Sequence, residues 1–163
     1  MIIIDYALCF ALYILYFFPR WKSDRLIQRT MLYICIIVIL GVTLMPIITS
    51  LPFMLDHPYT GMNLVPFVDI IYERGDFMRQ VKLNVLLFIP FGFLYPLTTR
   101  RNTLSNTILH AFILSLIIEL SQPLLSQGRV SDVTDLITNT TGALIGYLIY
   151  WPIYWTMHVI KNE

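Results

Sequence analysis

Residues 32–51 read LYICIIVILGVTLMPIITSL, a stretch without a single charged side chain. A helix needs about 20 mostly apolar residues to cross a hydrocarbon core of about 30 Å, and this stretch has that length. The whole chain of 163 residues is 57% hydrophobic and only 13% charged. Soluble domains carry about 25% charged residues. The chain is therefore predicted to be an integral membrane protein, and a soluble globule, a disordered tail and a nucleic-acid binder are excluded.

Four further apolar runs are long enough to predict, with the first, about five transmembrane helices. They lie at about residues 2–18, 82–98, 107–125 and 135–157. None of these runs alternates apolar and polar residues, as the strands of a membrane barrel do. The predicted fold class is therefore all-α, an integral membrane helical bundle in a single domain over residues 1–163.

The connection between the second and third spans is the least regular part of the sequence. Apolar residues within about 63–79 follow helical spacing, with carboxylates on other positions. This pattern is typical of a short amphipathic helix lying on the membrane surface. A re-entrant segment entered at Pro66 fits the same stretch.

The positions of the basic residues predict the orientation in the membrane. The formal net charge is only +1, but the basic residues are unevenly placed. Seven of them fall in the first loop, the third loop and the C-terminal tail, namely Arg20, Lys22, Arg25, Arg29, Arg100, Arg101 and Lys161. Because cytoplasmic loops carry an excess of Lys and Arg, the N-terminus is expected outside and the C-terminus in the cytoplasm.

Strongly polar side chains near the ends of the predicted spans mark a candidate site, because such groups normally face a bundle interior or a wet cavity. Asn84 opens the third span, and Glu119 and Gln122 share one face of the fourth. A stripe with helical spacing enters the fifth span, formed by Asp132, Asp135, Asn139, Gly142 and Gly146. Arg129 lies in the short loop before that stripe. With the predicted topology, these groups are expected to converge on one pocket open to the outer side.

Each candidate also has a structural interpretation. Glu119 would pair with Arg129 or Lys82 to hold helices together, and Asp132 and Asp135 would cap the start of the fifth helix. The two asparagines would form interhelical hydrogen bonds, and the Gly-x-x-x-Gly pair would allow close helix packing. The functional interpretation therefore depends on whether all these polar residues lie close together at one side of the membrane.

Metal and disulfide chemistry are not predicted. Cys9 and Cys35 lie inside apolar runs and form neither a Cys-x-x-Cys motif nor a Cys/His cluster. Asp132 and Asp135 with Glu119 offer oxygen ligands for a hard divalent cation, but two carboxylates at this spacing are common at helix starts. No metal ligand is assigned, and the sequence specifies no cofactor.

Several ordered motifs resemble those of the VanZ-like family of bacterial membrane proteins. They are NLVPF at 63–67, NVLLFIPFG at 84–92, ELSQ at 119–122, GR at 128–129, DVTDLITNTTGA at 132–143, and Gly146. The resemblance covers about residues 63–150, and the first two spans carry none of these motifs. The resemblance implies that the protein lies in a bacterial plasma membrane. The founding member of the family is associated with low-level resistance to the glycopeptide antibiotic teicoplanin. The resemblance implies no particular reaction.

The motif residues coincide with the polar set found from spacing and topology. We therefore expect a pocket that binds or modifies an amphiphile, which would be a membrane lipid, a lipid-linked envelope precursor or the acyl tail of a lipoglycopeptide. Asn63 to Phe67 would form a lid. Candidates for proton transfer or cation binding are Glu119, Asp132 and Asp135, and candidates for ligand binding are Asn63, Asn84, Gln122, Arg129 and Asn139. The alternative is a non-enzymatic scaffold or modulator of cell-envelope enzymes, in which the polar set only holds the bundle together.

Overall fold

The computed structural model describes residues 2–21, 23–56, 59, 61–72, 75–100, 103–125 and 129–162. About 84% of the structure is helical, and the described residues form no strand, which confirms the all-α fold class.

Seven α-helices follow one another along the described chain. Helix α1 runs over Ile2–Arg20, with a wider π-type turn at Tyr13–Phe17. The others are α2 at Leu26–Thr43, α3 at Leu51–Asp56, α4 at Val68–Ile71, α5 at Phe77–Thr98, α6 at Leu104–Leu125 and α7 at Val133–Asn162. A short 3-10 turn at Ile48–Ser50 leads from the end of α2 into α3.

Among the described residues, four stretches are long and apolar enough to cross a membrane, as a multi-pass membrane protein requires. They are Ile2–Arg20, Leu26–Met54, Phe77–Thr98 and Leu104–Leu125. The predicted fifth span coincides with α7, which is not among these four, so its crossing stays a prediction. Of the stretch 63–79, only Val68–Ile71 and the residues from Phe77 onward are helical in the described part.

The chain divides into two compact units. The first unit comprises Met1–Pro66 and Leu116–Val133, and the second comprises Phe67–Ser115 and Thr134–Glu163. Helix α6 therefore contributes its second half to the first unit and its first half to the second.

The second unit is built on close contact between the backbones of α5 and α7. A Cβ atom added at Gly92 would overlap the carbonyl group of Ala143, and one added at Gly142 would overlap the carbonyl oxygen of Val85. Gly146 lies in the same way against the carbonyl oxygen of Ile89. Small residues allow membrane helices to approach this closely. The packing interpretation of Gly142 and Gly146 is thus confirmed.

The first unit is built on the pair of helices α1 and α2. Gly41 of α2 lies against the ring of Tyr6, and the hydroxyl of Tyr33 donates a hydrogen bond of 2.6 Å to the carbonyl oxygen of Cys9. At the other end of the pair, aromatic rings cluster with centroids 5.2 to 6.2 Å apart, contributed by Tyr13, Phe17, Trp21 and Tyr33. The two helices therefore lie side by side over most of their length.

Candidate functional site

A break in the second predicted span organises the polar groups of the first unit. Pro46 has no N–H group to donate within a helix, and α2 ends at Thr43. In an unbroken helix the N–H of Ile47 would donate to the carbonyl oxygen of Thr43. Here both groups bond to side chains from elsewhere in the unit.

The carboxylate of Asp5 receives the backbone N–H groups that the break exposes. Its two oxygens accept hydrogen bonds of 3.1 Å each from the N–H groups of Ile47 and Ile48. Asp5 is only 4% exposed although it lies on a helix of membrane-spanning length. A buried carboxylate is tolerated when it is hydrogen-bonded, and these two bonds supply that condition. Asp5 is not among the site residues predicted from the sequence. Pro46 inside a span was the signal that buried backbone groups needed partners.

Arg129 meets the other side of the same break. Its Nη1 donates a 2.8 Å hydrogen bond to the carbonyl oxygen of Thr43, the last residue of α2. Basic side chains near a helix C-terminus satisfy its terminal carbonyls and interact favourably with the helix dipole. The rest of the arginine side chain is exposed. A positive charge therefore lies at the surface of the first unit, beside the interrupted span.

Glu119 is the most deeply buried carboxylate of the predicted set, at 1% exposed. Its Oε2 accepts a 3.1 Å hydrogen bond from the backbone N–H of Asp132, and its carbonyl oxygen accepts one of 2.5 Å from the hydroxyl of Ser131. Ser131 is itself fully buried. The side chain of Glu119 thus fixes the backbone immediately before α7, and Gln122, one turn further along α6, is also buried.

Asn63 joins this network through both its backbone and its side chain. Its backbone forms an isolated parallel bridge, in which its N–H donates to the carbonyl oxygen of Ser131 at 2.8 Å. Its carbonyl oxygen accepts from the N–H of Val133 at 3.0 Å, and its Nδ2 donates to Oδ2 of Asp132 at 2.9 Å. The segment predicted as a lid therefore begins with a residue that is fixed in three places.

The structure brings together part of the predicted set. Direct hydrogen bonds link Asn63, Asp132 and Glu119 within the first unit, which also contains Gln122 and Arg129. The remaining candidates, Asn84, Asp135 and Asn139, belong to the second unit. Gly128, the partner of Arg129 in its motif, lies outside the described residues.

The two asparagines of the second unit have incompletely satisfied amides. Asn139 is 2% exposed, and its Nδ2 donates a 2.9 Å hydrogen bond to the buried hydroxyl of Ser115 on α6. This bond confirms the predicted interhelical role of Asn139. Within the part of the chain that is described, Oδ1 of Asn139 and Nδ2 of Asn84 are buried without a hydrogen-bond partner. Such atoms are rare, because a buried unsatisfied polar group costs about 1 to 3 kcal/mol.

The chemistry available beside the break is that of oxygen acceptors and the exposed guanidinium of Arg129. Across the described residues, no group of three or more His, Cys, Asp or Glu side chains is arranged to hold a metal ion. The exposed guanidinium suits an anion, since arginine binds phosphate and carboxylate groups through paired N–H donors. The buried carboxylate of Glu119 and the half-buried carboxylate of Asp132 lie within one hydrogen-bonded network.

Fold and polar network together define a multi-pass helical membrane protein with a buried carboxylate at an interrupted span. A profile of the VanZ/LLP1 family matches residues 6–156, and the chain belongs to this family. The match includes α1 and α2, where the sequence analysis found no family motif. Protein VanZ of Enterococcus faecium is 26% identical over 126 residues, which are 77% of this chain and 74% of that protein. No solved structure matches significantly.

Proposed function

We propose that this protein binds an anionic amphiphile of the bacterial cell envelope at the polar network of the first unit, on the outer side of the plasma membrane. The observation that carries the proposal is the exposed guanidinium of Arg129, held beside a break in a membrane-length helix. Interrupted membrane helices place polar backbone groups at the depth where transported or bound ligands are recognised. In this protein both sides of the break are occupied by ionisable side chains, Asp5 and Arg129.

The charged groups have complementary parts in this proposal. Arg129 binds the anionic headgroup, because a guanidinium forms charge-assisted and often paired hydrogen bonds to phosphate or carboxylate oxygens. Glu119 and Asp132 hold the loop that carries Arg129 and are the candidates for proton transfer if the bound amphiphile is modified. Asn63 and Gln122 add amide groups to the same unit, and Asn84, Asp135 and Asn139 are further candidates in the second unit.

The similarity to Protein VanZ supplies the biological setting of the proposal. The family resemblance implies low-level resistance to teicoplanin, and we extend that role to this protein. An amphiphile site on the outer side of the membrane is accessible to an antibiotic that acts on the cell surface. Binding there, either of the drug or of a lipid-linked precursor, reduces the amount of drug that reaches its target.

Teicoplanin susceptibility in a sensitive host tests this proposal. Glu119→Gln and Asp132→Asn retain an oxygen that accepts the existing hydrogen bonds but remove the negative charge, and Arg129→Gln removes the positive one. We expect all three variants to lose most of the resistance conferred by the unchanged protein. Arg79→Gln, an exposed arginine at the start of α5, is the matched control and keeps it. Full resistance in the three variants at normal membrane abundance contradicts the proposal.

A scaffold role is the second candidate, and one observation favours it. Asp5, Glu119 and Asp132 all accept hydrogen bonds from groups of the same chain, as purely structural residues do. Under this alternative the charge-removing variants lower the amount of protein in the membrane, and resistance falls in proportion to that amount. Quantitative blotting of membranes beside the susceptibility assay separates the two functions, because the proposed binding site predicts lost resistance at unchanged abundance.

A further inference from the structure

A cavity of about 250 Å³ lies between α1 and α2, within the first unit. It extends from Tyr6 to Tyr13 along α1 and from Thr30 to Val38 along α2. At 1.5 Å per helical residue, these intervals correspond to a length of about 10 to 12 Å. The lining is mainly apolar, and four of its side chains are exposed, with Phe10 at 68%, Ile34 at 56%, Val38 at 50% and Tyr6 at 41%. The cavity is therefore a groove that opens sideways along a pair of membrane-length helices.

The groove is closed at one end. The hydroxyl groups of Tyr13 and Thr30 are 2.8 Å apart and hydrogen-bonded across the two helices. Beyond them the rings of Phe17 and Trp21 continue the contact with Tyr33. A chain lying in the groove can therefore end at this barrier but cannot pass it. This shape suits the methyl end of a single alkyl chain better than a chain that runs the whole length of a membrane helix.

At its other end the groove is bordered by the ring of Tyr6, which lies against Gly41 of α2, and the polar network of the same unit follows further along that helix. Tyr6 is adjacent to the buried carboxylate of Asp5, and Val38 lies five residues before Thr43, a rise of about 8 Å along α2. The guanidinium of Arg129 is hydrogen-bonded to the carbonyl oxygen of that threonine. An apolar groove and an exposed positive charge thus follow one another along one helix, in the order that the tail and headgroup of an anionic lipid require.

We infer that this groove holds the alkyl tail of a membrane lipid whose phosphate headgroup is bound by Arg129. The inference rests on the proposed function, since it specifies the amphiphile of the same site. A phosphate headgroup fits this site, because a guanidinium offers several N–H donors to phosphate oxygens. The tail enters through the open side of the groove, and its methyl group lies against Tyr13 and Thr30. Only one chain fits, so a lipid with a second tail leaves that tail in the bilayer.

Photolabelling with a single-chain alkyl phosphate that carries a diazirine near its methyl end tests the inference. The full-length protein in detergent micelles is labelled, digested and mapped by mass spectrometry. We expect the label on the peptides that contain Tyr13 and Thr30, and we expect a probe with an uncharged hydroxyl headgroup to bind about tenfold more weakly, the loss that one charge-assisted hydrogen bond accounts for. Label spread evenly over the exposed faces of all described helices shows ordinary lipid contact and overturns the inference.

Two matched tryptophan variants separate the groove from the headgroup site. Ile34→Trp fills the groove, whereas Ile27→Trp places the same ring on the same helix at a position that is 72% exposed and outside the groove. We expect Ile34→Trp to weaken binding by about tenfold or more, since a change of one methylene in an apolar pocket already gives about 10- to 200-fold discrimination. Ile27→Trp is expected to bind normally. Val38→Trp repeats the test if Ile34→Trp lowers the thermal stability of the protein.

The combined results distinguish this inference from the function on which it rests. If Arg129→Gln weakens alkyl phosphate binding but Ile34→Trp and Val38→Trp do not, the groove is not the tail site and the headgroup site stands. If neither the arginine nor the groove variants change binding, the proposed function fails as well. If an acylated glycopeptide labels the groove and the alkyl phosphate does not, the assignment of a phosphate lipid is overturned.

Discussion

The two units stabilise membrane-length helices by different means. In the second unit, glycines bring the backbones of α5 and α7 into direct contact, and large side chains such as Phe88 and Tyr150 are fully buried. In the first unit, a pair of helices encloses a cavity, and one of its two spans is interrupted and held by charged side chains. Close packing supports a rigid frame, whereas a break and a cavity reduce packing and create sites for ligands. We therefore expect the second unit to contribute most of the stability, and the proposed binding site lies in the first.

The largest expected effect is that of a methyl group between α5 and α7. Gly92→Ala places a Cβ atom on the carbonyl group of Ala143, and because a backbone atom cannot move aside cheaply, the free energy of unfolding should fall by about 3 kcal/mol. Thermal unfolding of the detergent-solubilised protein, followed by circular dichroism, measures the change. Gly61→Ala is the control, since a Cβ atom there meets nothing within 4 Å. Equal stability of the two variants would show that helix contact is not what holds the second unit.

A second prediction concerns the break in the first unit. Asp5→Ala leaves the N–H groups of Ile47 and Ile48 without their acceptors, and we expect a loss of about 2 kcal/mol, because each buried unsatisfied donor costs about 1 to 3 kcal/mol. Asp5→Asn keeps one oxygen acceptor and should lose about half as much. Asp24→Ala removes an exposed carboxylate and serves as the control. Asparagine and alanine variants of equal stability would refute the acceptor role of Asp5.

The hydroxyl of Ser131 gives a smaller test of the polar network. Ser131→Ala removes its bond to the carbonyl oxygen of Glu119, and the expected loss is about 1 kcal/mol, the usual net contribution of one hydrogen bond. Ser121→Ala removes a bond that stays within a single helix, to the carbonyl oxygen of Ile117. That control should change the unfolding free energy by less than about 0.5 kcal/mol. The reverse order would indicate that the loop before α7 contributes little to stability.

The smallest expected effect lies at the closed end of the groove. A double-mutant cycle of Tyr13→Phe and Thr30→Val isolates the hydrogen bond between the two hydroxyls, and the expected coupling is about 0.6 kcal/mol, the average for such bonds in membrane proteins. The single variants measured beside the double variant correct for other losses. A coupling near zero would mean that the end of the groove is closed by ring packing alone.

The helices and the glycine contacts could be predicted from the sequence because they depend on local patterns. Apolar length identified the spans, and the spacing of Gly142 and Gly146 identified a helix-packing face. Asp5 was missed because its partners, Ile47 and Ile48, are more than 40 residues away and no local period relates them. Pro46 indicated that a span contains unpaired backbone groups, but a sequence does not reveal which side chain reaches them.

The candidate site was predicted only in part, for a related reason. Asn63, Glu119 and Asp132 were chosen from motifs, polarity and predicted topology, and the structure joins them by hydrogen bonds. The hydrogen bond from Arg129 to Thr43 joins residues 86 positions apart and is accepted by a backbone carbonyl. Every residue has such a group, so the sequence does not single out this one. Cavities are harder still to predict, because they depend on how two helix surfaces fail to fill the space between them.

The pairing of Asp5 with Ile47 and Ile48 also constrains the order of biogenesis. A ribosome makes the carboxylate first and completes its two N–H donors more than 40 residues later. An aspartate within a lone helix opposes membrane insertion until its carboxylate has found hydrogen-bond donors. We therefore expect the first helix to enter the lipid together with the second, as a hairpin in which the carboxylate already has its two donors.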